Sequence, residues 1–400
     1  MLKLFIFILL IVALSACQEE KPAVDRLTPA YAKELSQKFI LVDTHIDVPF
    51  RLKMKMQDVS KKTAGGDFDY PRAIQGGLDA PFMSIFVPAK KEFNGAKALA
   101  DELIDLVEAL AVNSPDKFAL AYDPADLEKN HINGLISLPM GMENGSPVEG
   151  KLENIKYFYD RGIRYITLAH AKSNHICDSS YDPERKWGGL SPFGKDVVLE
   201  MNRVGIMVDV SHVTDSSFYQ ILRISKTPVI ASHSSCRFFT PGFERNMSDD
   251  MIKTLAAHGG VIQMNFGSSF INQDYREKME RFQKYAKEHH LRWGTPDFEE
   301  SLTLFKKEND VREASAADVA AHIDHVAKLV GVDHIGIGSD FDGLGDSLPE
   351  GLKDVSQYPN LIFELLKLGY SDEEIQKICS GNLIRVWRFV AEYAESLKIG

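Results

Sequence analysis

The chain has 400 residues, of which 44% are hydrophobic and 26% are charged. This composition is that of a globular protein with a large core and excludes a low-complexity chain. The formal net charge is −11 and the sequence has no basic run, which argues against nucleic acid as a partner.

The N-terminal stretch MLKLFIFILLIVALSAC has the pattern of a signal peptide, with an early lysine, a short apolar run and a small-residue site. The run is too short to span a membrane comfortably. Its last four residues, LSAC, resemble a bacterial lipobox and predict lipidation of Cys17, with an ordinary secretory signal as the alternative. Because Gln18 follows, we expect the protein in the bacterial cell envelope, held only by its lipid anchor on the outer membrane and facing the periplasm.

The sequence divides the chain into three parts. Residues 1–17 form the predicted signal peptide, and residues 18–37 read as a tether and N-terminal segment. Residues 38–400 carry a regular alternation of apolar runs and helical patterns. Eight short runs rich in β-forming residues lie at 38–45, 80–87, 134–140, 164–170, 205–212, 228–234, 260–266 and 334–343.

Strands that alternate with helices predict a parallel sheet, and eight such units predict a closed (β/α)8 TIM barrel. We therefore assign residues 38–400 to a single barrel domain. The end of the chain is purely helical and has a capping box that begins at Ser371, which predicts additional C-terminal helices packed on the barrel. The three cysteines at 177, 236 and 379 are widely spaced, so buried free thiols are expected rather than a disulfide framework.

A charged segment at about 270–314 interrupts the alternation between strands 7 and 8. It reads as a helical insertion on a βα loop, which places it near the active face of a barrel. Three roles are compatible with this segment: a lid over the active site, a dimer contact, or a solvent-exposed addition without a specific function.

Polar residues of the types that bind metals end most of the predicted strands. A barrel gathers the C-terminal ends of its strands at one mouth, so we expect these side chains to converge. A chance coincidence of four histidines with several carboxylates is a poor explanation, and the pattern predicts a metal site. The residues are His45, Asp47, Glu143, His170, His212, His233, Asp340 and Asp342.

The spacing suggests two half-sites. In a strand, residues i and i+2 point to one side, so His45 and Asp47 can reach one ion. His212 and His233 come from neighbouring strands and form a second pair. Neither pair completes a tetrahedral shell, and Glu143 lies on the strand between them as a natural bridge.

The tripeptide His-Ile-Asp recurs at 322–324, but there it lies in an apolar-periodic helix. Positions i and i+2 of a helix diverge by about 200°, so His322 and Asp324 cannot share an ion. His322 and His325 do share a face, but a helical pair without a third ligand is usually structural. We interpret the second tripeptide as structural.

Ordered sequence blocks resemble the renal, or membrane, dipeptidase family of zinc metallopeptidases, from about residue 38 to the C-terminus. The blocks are VDTHIDVP, GGLDAPFMSIFVP, LPMGMENG, RYITLAHAKSN, GLSPFGKDVVLEMNRVGIMVDVSHV, TPVIASHSSCR, ERNMSDD and IGIGSDFDGL. Two departures are visible: Asn-Gly follows Glu143 where the family often has Gly-Gly, and the insertion at 270–314 is longer than in the shorter relatives. The second departure puts the side-chain preference in doubt.

The resemblance implies two zinc ions, with manganese or cobalt as alternatives for the same ligand types. By position, His45 and Asp47 would bind one ion, His212 and His233 the other, and Glu143 would bridge them.

Three further roles follow from the same resemblance. His170 would contact the substrate carbonyl, Arg245 the C-terminal carboxylate of the substrate, and Asp340 would act in proton transfer. The residue pattern alone does not distinguish the role of Asp340 from that of Asp342. The assignment of proton transfer to Asp340 is implied by the resemblance to the family.

The implied function is hydrolysis of dipeptides with a free C-terminal carboxylate by a metal-bridging hydroxide. The resemblance also leaves a homodimer open. A related barrel hydrolase acting on lactones, N-acyl amino acids or phosphotriesters is the nearest rival. A surface lipoprotein that binds peptides without cleaving them is a rival of another class, and a purely structural barrel is disfavoured by the polar mouth.

Overall fold

Eight parallel strands form a barrel in the structure, a computed structural model that describes residues 25–292 and 294–399. The order in the sheet is β1-β2-β5-β6-β7-β8-β9-β10, and all neighbours are parallel. Phe341, just after β10, pairs with Ile46 of β1 and brings the two ends of the sheet together. The predicted (β/α)8 fold is confirmed. The barrel strands are β1 Val42–Ile46, β2 Ala80–Phe86, β5 Met140–Glu143, β6 Ile163–Thr167, β7 Met207–Asp209, β8 Ile230–Ser234, β9 Val261–Met264 and β10 Ile335–Ile337.

The third predicted strand, at 134–140, is wrong in detail. Its middle is β4 (Ile136–Leu138), which pairs with β3 (Phe118–Leu120) in a separate two-stranded sheet. The barrel strand begins only at Met140. Pro139 lies between the two strands and has no N–H to continue a ladder, so one apolar run is divided between two sheets.

Helices surround the barrel, and polar N-cap residues begin most of them. Thr28, Asp69, Ser191 and Ser248 each accept a hydrogen bond from the backbone N–H three residues on, as N-caps do. The helices are α1 Pro29–Lys38, α2 Val48–Met54, α3 Tyr70–Gly76, α4 Ala96–Asn113, α5 Pro124–Ile132, α6 Glu153–Asp160, α7 Pro192–Val204, α8 Asp215–Ile224, α9 Asp249–Ala257, α10 Ser268–Ile271, α11 Gln273–Glu288, α12 Pro296–Glu308, α13 Ala316–Val330, α14 Tyr358–Lys367, α15 Asp372–Gln376 and α16 Asn382–Ile399.

The C-terminal helices close the amino end of the barrel. Trp387 of α16 is 1% exposed and its ring lies 5.3 Å from that of Phe82, which points into the barrel from β2. Val386 and Val390 belong to the same buried cluster. The predicted capping box at Ser371 is confirmed at the start of α15. An apolar plug at this end leaves the opposite end for polar side chains.

The predicted insertion lies between the seventh and eighth strands of the barrel, which are β9 and β10. It is helical, as predicted, and consists of α10, α11 and α12. Helix α12 has no buried residue, whereas Tyr275 and Phe282 of α11 are buried. The N-terminal segment contributes α1, whose Ala32 and Leu35 are fully buried, so this part of it packs into the fold.

Two sequence predictions concern the rest of the chain. The cysteines at 177, 236 and 379 are buried free thiols, which confirms the expectation for them. The predicted signal peptide and Cys17 lie outside the described residues. No helix within 25–292 and 294–399 combines the length and hydropathy that crossing a bilayer requires.

Candidate active site

Side chains from six barrel strands meet at the carboxyl end of the barrel. Their nitrogen and oxygen atoms form three overlapping groups, and the atoms of each group lie within 4.8 Å of one another. The groups are His45 with Glu143 and His233, Glu143 with His170 and His212, and His45 with Asp47 and Asp340. All seven residues come from the strand ends that the sequence singled out. Above them lies a cavity of about 390 Å3.

Glu143, the last residue of β5, lies at the centre of this cluster and is 4% exposed. Its Oε2 is 3.5 Å from His45 Nε2, on one side. Its Oε1 is 3.1 Å from His212 Nε2 and 3.3 Å from His233 Nε2, on the other. Burial favours the neutral acid, but the electrostatic interaction with His170 and His45 and the hydrogen bonds with His212 and His233 outweigh it and hold the pKa of Glu143 well below its usual value. The two oxygens of one carboxylate therefore face two different sets of imidazoles.

Irregular strand backbone aims two of the imidazoles. The pairing of β1 with β2 shifts register within 43–46, and the pairing of β8 with β9 shifts within 231–234. Each shift adds one residue to the strand, as a β-bulge does, and re-aims the side chains there. His45 lies in the first bulge and His233 in the second. Strict alternation would have sent neighbouring side chains to opposite faces of the sheet.

Four residues of the rim adopt left-handed backbone conformations. The φ angles are 81° at Asn144, 68° at His212, 65° at Asp340 and 66° at Asp342. Asn, Asp and His are the non-glycine types that enter this region most readily. An ordinary L-residue pays about 1–2 kcal/mol there, so the rim stores backbone strain where the functional side chains are presented.

Asn144 explains one departure from the family pattern. Both glycine and asparagine tolerate a positive φ, so Asn-Gly can replace Gly-Gly after Glu143. The Asn144 amide donates to the Val87 carbonyl at 2.8 Å, and its oxygen accepts from the Ser146 N–H and the Asn174 amide. The substitution therefore adds hydrogen bonds beside the central carboxylate.

Asp47 reaches the cluster by a different route from the predicted one. Strand β1 ends at Ile46, and Asp47 is the residue before α2, with φ −84° and ψ 28°. Its Oδ2 is 3.7 Å from His45 Nε2. A turn from strand to helix, and not the alternation of an extended strand, places the two side chains together.

The donor atoms of the cluster fit divalent cations. Among the described residues, His45 Nε2, Asp47 Oδ1 and His212 Nδ1 are buried without a hydrogen-bond partner. His212 Nε2 and His233 Nε2 face each other at 2.8 Å. Burial lowers the pKa of both imidazoles well below the usual value, and Arg245 adds to this, so both are neutral and keep a lone pair for a metal. Imidazoles with carboxylates suit zinc, manganese and cobalt.

Tyr165, inside the barrel on β6, fixes the orientation of His45. Its hydroxyl is 2.9 Å from the Thr44 carbonyl, which can only accept, and 2.8 Å from His45 Nδ1. The hydroxyl therefore donates to the carbonyl and accepts from Nδ1–H, which leaves the Nε2 lone pair of His45 facing Glu143. Gly141 makes room for this ring, since a Cβ there would lie 2.0 Å from it.

A buried carboxylate supports His233 through a serine. His233 Nδ1 is 2.8 Å from Ser232 Oγ, and this hydroxyl donates to Asp209 Oδ2 at 2.6 Å. Asp209 is fully buried, and its Oδ1 accepts from the amides of Ser211 and Ser232. The chain of hydrogen bonds places the proton of His233 on Nδ1, so that Nε2 faces Glu143.

The structure separates the two aspartates that strand alternation left equivalent. Both oxygens of Asp342 are occupied, since Oδ2 accepts from Arg51 Nε at 2.8 Å and Oδ1 from the Asp67 N–H at 2.6 Å. Asp340 has one oxygen held by the Asn265 amide at 2.9 Å and lies in the group with His45. Asp342 therefore ties a loop to the rim, whereas Asp340 faces the cluster.

His170 and Arg245 lie on either side of the imidazole cluster. His170 lines the cavity, with Nε2 3.5 Å from Glu143 Oε1. Arg245 is 3% exposed and donates to the His233 carbonyl at 2.7 Å and to Ser234 Oγ at 2.8 Å. Its Nε has no partner among the described residues, so hydrogen-bonding capacity remains.

The second His-Ile-Asp is structural, which confirms the interpretation of the sequence. His322 uses both ring nitrogens, accepting from the Cys236 N–H at 3.1 Å and lying 3.0 Å from the Ile271 carbonyl. His325 Nε2 is 2.8 Å from Asp249 Oδ1. None of these partners belongs to the cluster around Glu143.

Sequence reasoning missed several residues of the site. Asn265 follows β9 at the same topological position as the predicted ligands, so the signal that found them could have found it. Tyr165 and Asp209 lie within strands, where a polar residue gives no sign of which strand it faces. The apolar cavity walls come from a strand end, two short helices and loops, with no common spacing signal; they are Phe50, Phe86, Tyr181, Phe270 and Leu344.

Comparison with known proteins identifies a family. A family model described as membrane dipeptidase (peptidase family M19) matches residues 30–399. Dipeptidase aclJ of Aspergillus oryzae is 32% identical over 340 residues, which cover 83% of this chain and 72% of that protein. Dipeptidase 3 of Mus musculus is 32% identical over 373 residues, which cover 91% of this chain and 67% of that protein.

Solved structures share the fold. The probable dipeptidase PvdM from Pseudomonas aeruginosa superposes with a TM-score of 0.80 at 26% identity, covering 93% of this chain and 100% of that one. A metallopeptidase from Rhodobacter sphaeroides, liganded with a phosphinate mimic of the dipeptide L-Ala-D-Ala, gives a TM-score of 0.73 at 22% identity. That match covers 88% of this chain and 99% of that one.

Removal of the Tyr165 hydroxyl should weaken metal binding without unfolding the barrel. In Tyr165→Phe the His45 ring loses the partner that fixes its tautomer, and we expect metal affinity to fall by about 10–100-fold. Chelator competition on the purified protein measures this directly. Tyr219→Phe removes a hydroxyl bonded to Asp250 outside the cluster and is the matched control. Equal affinities for the two variants would contradict the role of Tyr165.

Proposed function

The chain belongs to peptidase family M19, the membrane dipeptidases, and on this basis we propose that it hydrolyses dipeptides with a free C-terminal carboxylate, using two divalent metal ions. Family membership makes it a metallo-dipeptidase and a hydrolase, as the sequence blocks predicted. One observation carries the two-ion proposal: the oxygens of Glu143 face His45 on one side and His212 with His233 on the other.

The positions of the histidines around Glu143 suggest which residues would bind each of the two ions. His45 and Asp47 would hold one ion, His212 and His233 the other, and Glu143 would contribute one oxygen to each. Zinc is the family metal, and the ligand set also suits manganese or cobalt. When bound, such ions polarise a carbonyl group and lower the pKa of water towards neutrality.

Asp340 is our candidate for proton transfer in the reaction. It would accept a proton from the attacking water and deliver it to the departing amine, a role that needs a carboxylate within reach of both. Asn265 holds one of its oxygens, which leaves the other free to exchange a proton. Gly343 keeps this space open, because a Cβ there would lie 2.4 Å from Asp340 Oδ1.

His170 and Arg245 would bind the substrate. His170 is within the cavity and would donate a hydrogen bond to the scissile carbonyl as negative charge develops on it. Arg245 would pair with the C-terminal carboxylate through the planar fork of its guanidinium. Two of its N–H groups already fix its orientation, and its unpartnered Nε supports the assignment.

Loss of one imidazole ligand should reduce metal binding and activity strongly while the fold persists. We expect His212→Ala to bind less than half the metal of the unaltered protein and to lose hydrolysis of dipeptides by more than about 100-fold, because an ion would lose a ligand. Metal analysis, circular dichroism and a dipeptide assay with and without chelator measure these effects. His325→Ala is the control, since this imidazole bonds only to Asp249. Full turnover by His212→Ala would refute the assignment.

Substitution of Arg245 should impair recognition of the substrate terminus. We expect Arg245→Ala to raise KM for a free dipeptide by about tenfold or more, the loss of one charge-assisted pair, with a smaller change in kcat. The amidated dipeptide should be a poor substrate for both proteins. If the unaltered protein cleaves free and amidated dipeptides equally, a rival barrel hydrolase acting on lactones or N-acyl amino acids becomes the better description.

We further propose that Cys17 is lipidated and anchors the enzyme to the outer membrane, facing the periplasm. The proposal rests on the LSAC sequence and on Gln18. In a bacterial host, Cys17→Ala should abolish incorporation of labelled fatty acid and release the protein from the membrane fraction. Unchanged fractionation of the variant would contradict lipid anchoring. A homodimer also remains a proposal, which light scattering tests.

A further inference from the structure

The helical insertion after β9 builds a second cavity beside the candidate active site. This cavity has a volume of about 370 Å3 and lies between the insertion and the turn at 345–347. Helices α11 and α12 form most of its wall, with five aromatic or aliphatic side chains and the polar side chains of Gln283, Glu299 and Lys306, and the turn adds Asp346 and Ser347. The apolar lining residues are Tyr275, Met279, Phe282, Phe298, Leu302 and Leu344.

Leu344 is common to both cavities and separates them. It shares this position with Phe270, which lines the active-site cavity. Both side chains pack over Gly267, because a Cβ built there would lie 2.7 Å from the Phe270 ring and 3.0 Å from Leu344 Cδ2. Leu344 therefore forms part of the partition between the two cavities.

Phe270 and Leu344, the two side chains of this partition, differ in how many contacts hold them. The ring of Phe270 lies 5.3 Å below the Arg245 guanidinium and 5.7 Å from the Phe243 ring, and its carbonyl accepts from the Asn246 amide at 2.7 Å. These contacts fix Phe270 in place.

Leu344 is only partly buried and lies between two glycines, Gly343 and Gly345. Gly345 has a φ of +56°, and glycine gives the backbone access to conformations closed to other residues. Leu344 is therefore the less constrained of the two side chains.

We propose that the second cavity is a specificity subsite that receives a bulky apolar side chain of the dipeptide, admitted past Leu344. This inference rests on the proposed dipeptidase function. The position next to the active-site cavity, across Leu344, and the aromatic and aliphatic part of the lining favour a side chain of the substrate over either of its charged termini. The ring of Phe282 lies 5.3 Å from those of Phe298 and Phe305, an aromatic environment that suits another ring. The lysine at the rim, Lys306, is already paired with Glu313 at 2.8 Å.

Filling the second cavity tests the proposal. Met279→Trp places a large ring in the cavity from α11, and Leu302→Trp does so from α12, which protects the test against misfolding of either variant. Steady-state kinetics of the zinc-loaded proteins would compare Ala-Ala with Trp-Ala and Ala-Trp. We expect kcat/KM to fall by about tenfold or more for a tryptophan-containing dipeptide and by less than about twofold for Ala-Ala, since only the large side chain loses a buried site.

Two further variants sharpen the result. Leu304→Trp is the matched control, because Leu304 lies on the same helix but is 52% exposed and does not line the cavity; its kinetics should be unchanged. Leu344→Ala thins the partition and should raise the preference for tryptophan over alanine by several-fold. The gain should disappear when Leu344→Ala is combined with Met279→Trp.

Equal losses for small and large dipeptides would mean that the insertion acts as a lid or a general support, and would overturn the subsite. An unchanged ratio in both filled variants would overturn it as well. If the metal-loaded unaltered protein cleaves none of the three dipeptides, the proposed function itself fails. Cleavage of Ala-Ala with an unchanged ratio removes only the subsite.

Discussion

The carboxylate of Glu143, buried among four imidazoles, is the interaction on which the rest of the site depends. A lone carboxylate is costly to bury, and its charged form is favoured here because polar imidazole groups surround it on several sides. Its two oxygens face two different sets of histidines, which is what would allow one residue to serve the two proposed ions. The residues that surround it come from strands distant in sequence, so only a closed parallel barrel can supply them together.

The barrel departs from regular geometry where it presents these side chains. Bulges in β1 and β8 aim His45 and His233, and left-handed backbone conformations aim His212 and Asp340. Such distortions persist only where the surrounding structure fixes them. Tyr165 performs this task for His45 inside the barrel. The apolar plug around α16 at the other end supplies packing that the polar mouth does not.

The candidate metal ligands and the proposed specificity subsite come from different parts of the fold. Ligand residues lie on strand ends, whose positions the barrel fixes. The apolar walls of the active-site cavity come mainly from loops and short helices, and the insertion of α10, α11 and α12 adds a second cavity that meets the first at Leu344. Loops can change length and sequence without disturbing the barrel, so relatives with one reaction can differ in the side chains they accept.

Sequence by itself determined the barrel, the convergence of the strand ends and the difference between the two His-Ile-Asp tripeptides. These follow from local periodicity and from the fact that parallel strands end at one face. Tertiary structure alone decided that the third strand begins after Pro139, that a turn delivers Asp47, and that Arg51 and Asp67 occupy Asp342 and leave Asp340 facing the cluster. Tyr165 and Leu344 were likewise invisible, because their roles depend on contacts between residues far apart in the chain. Periodicity reports which face a side chain takes, and it carries no information about which distant atom it meets there.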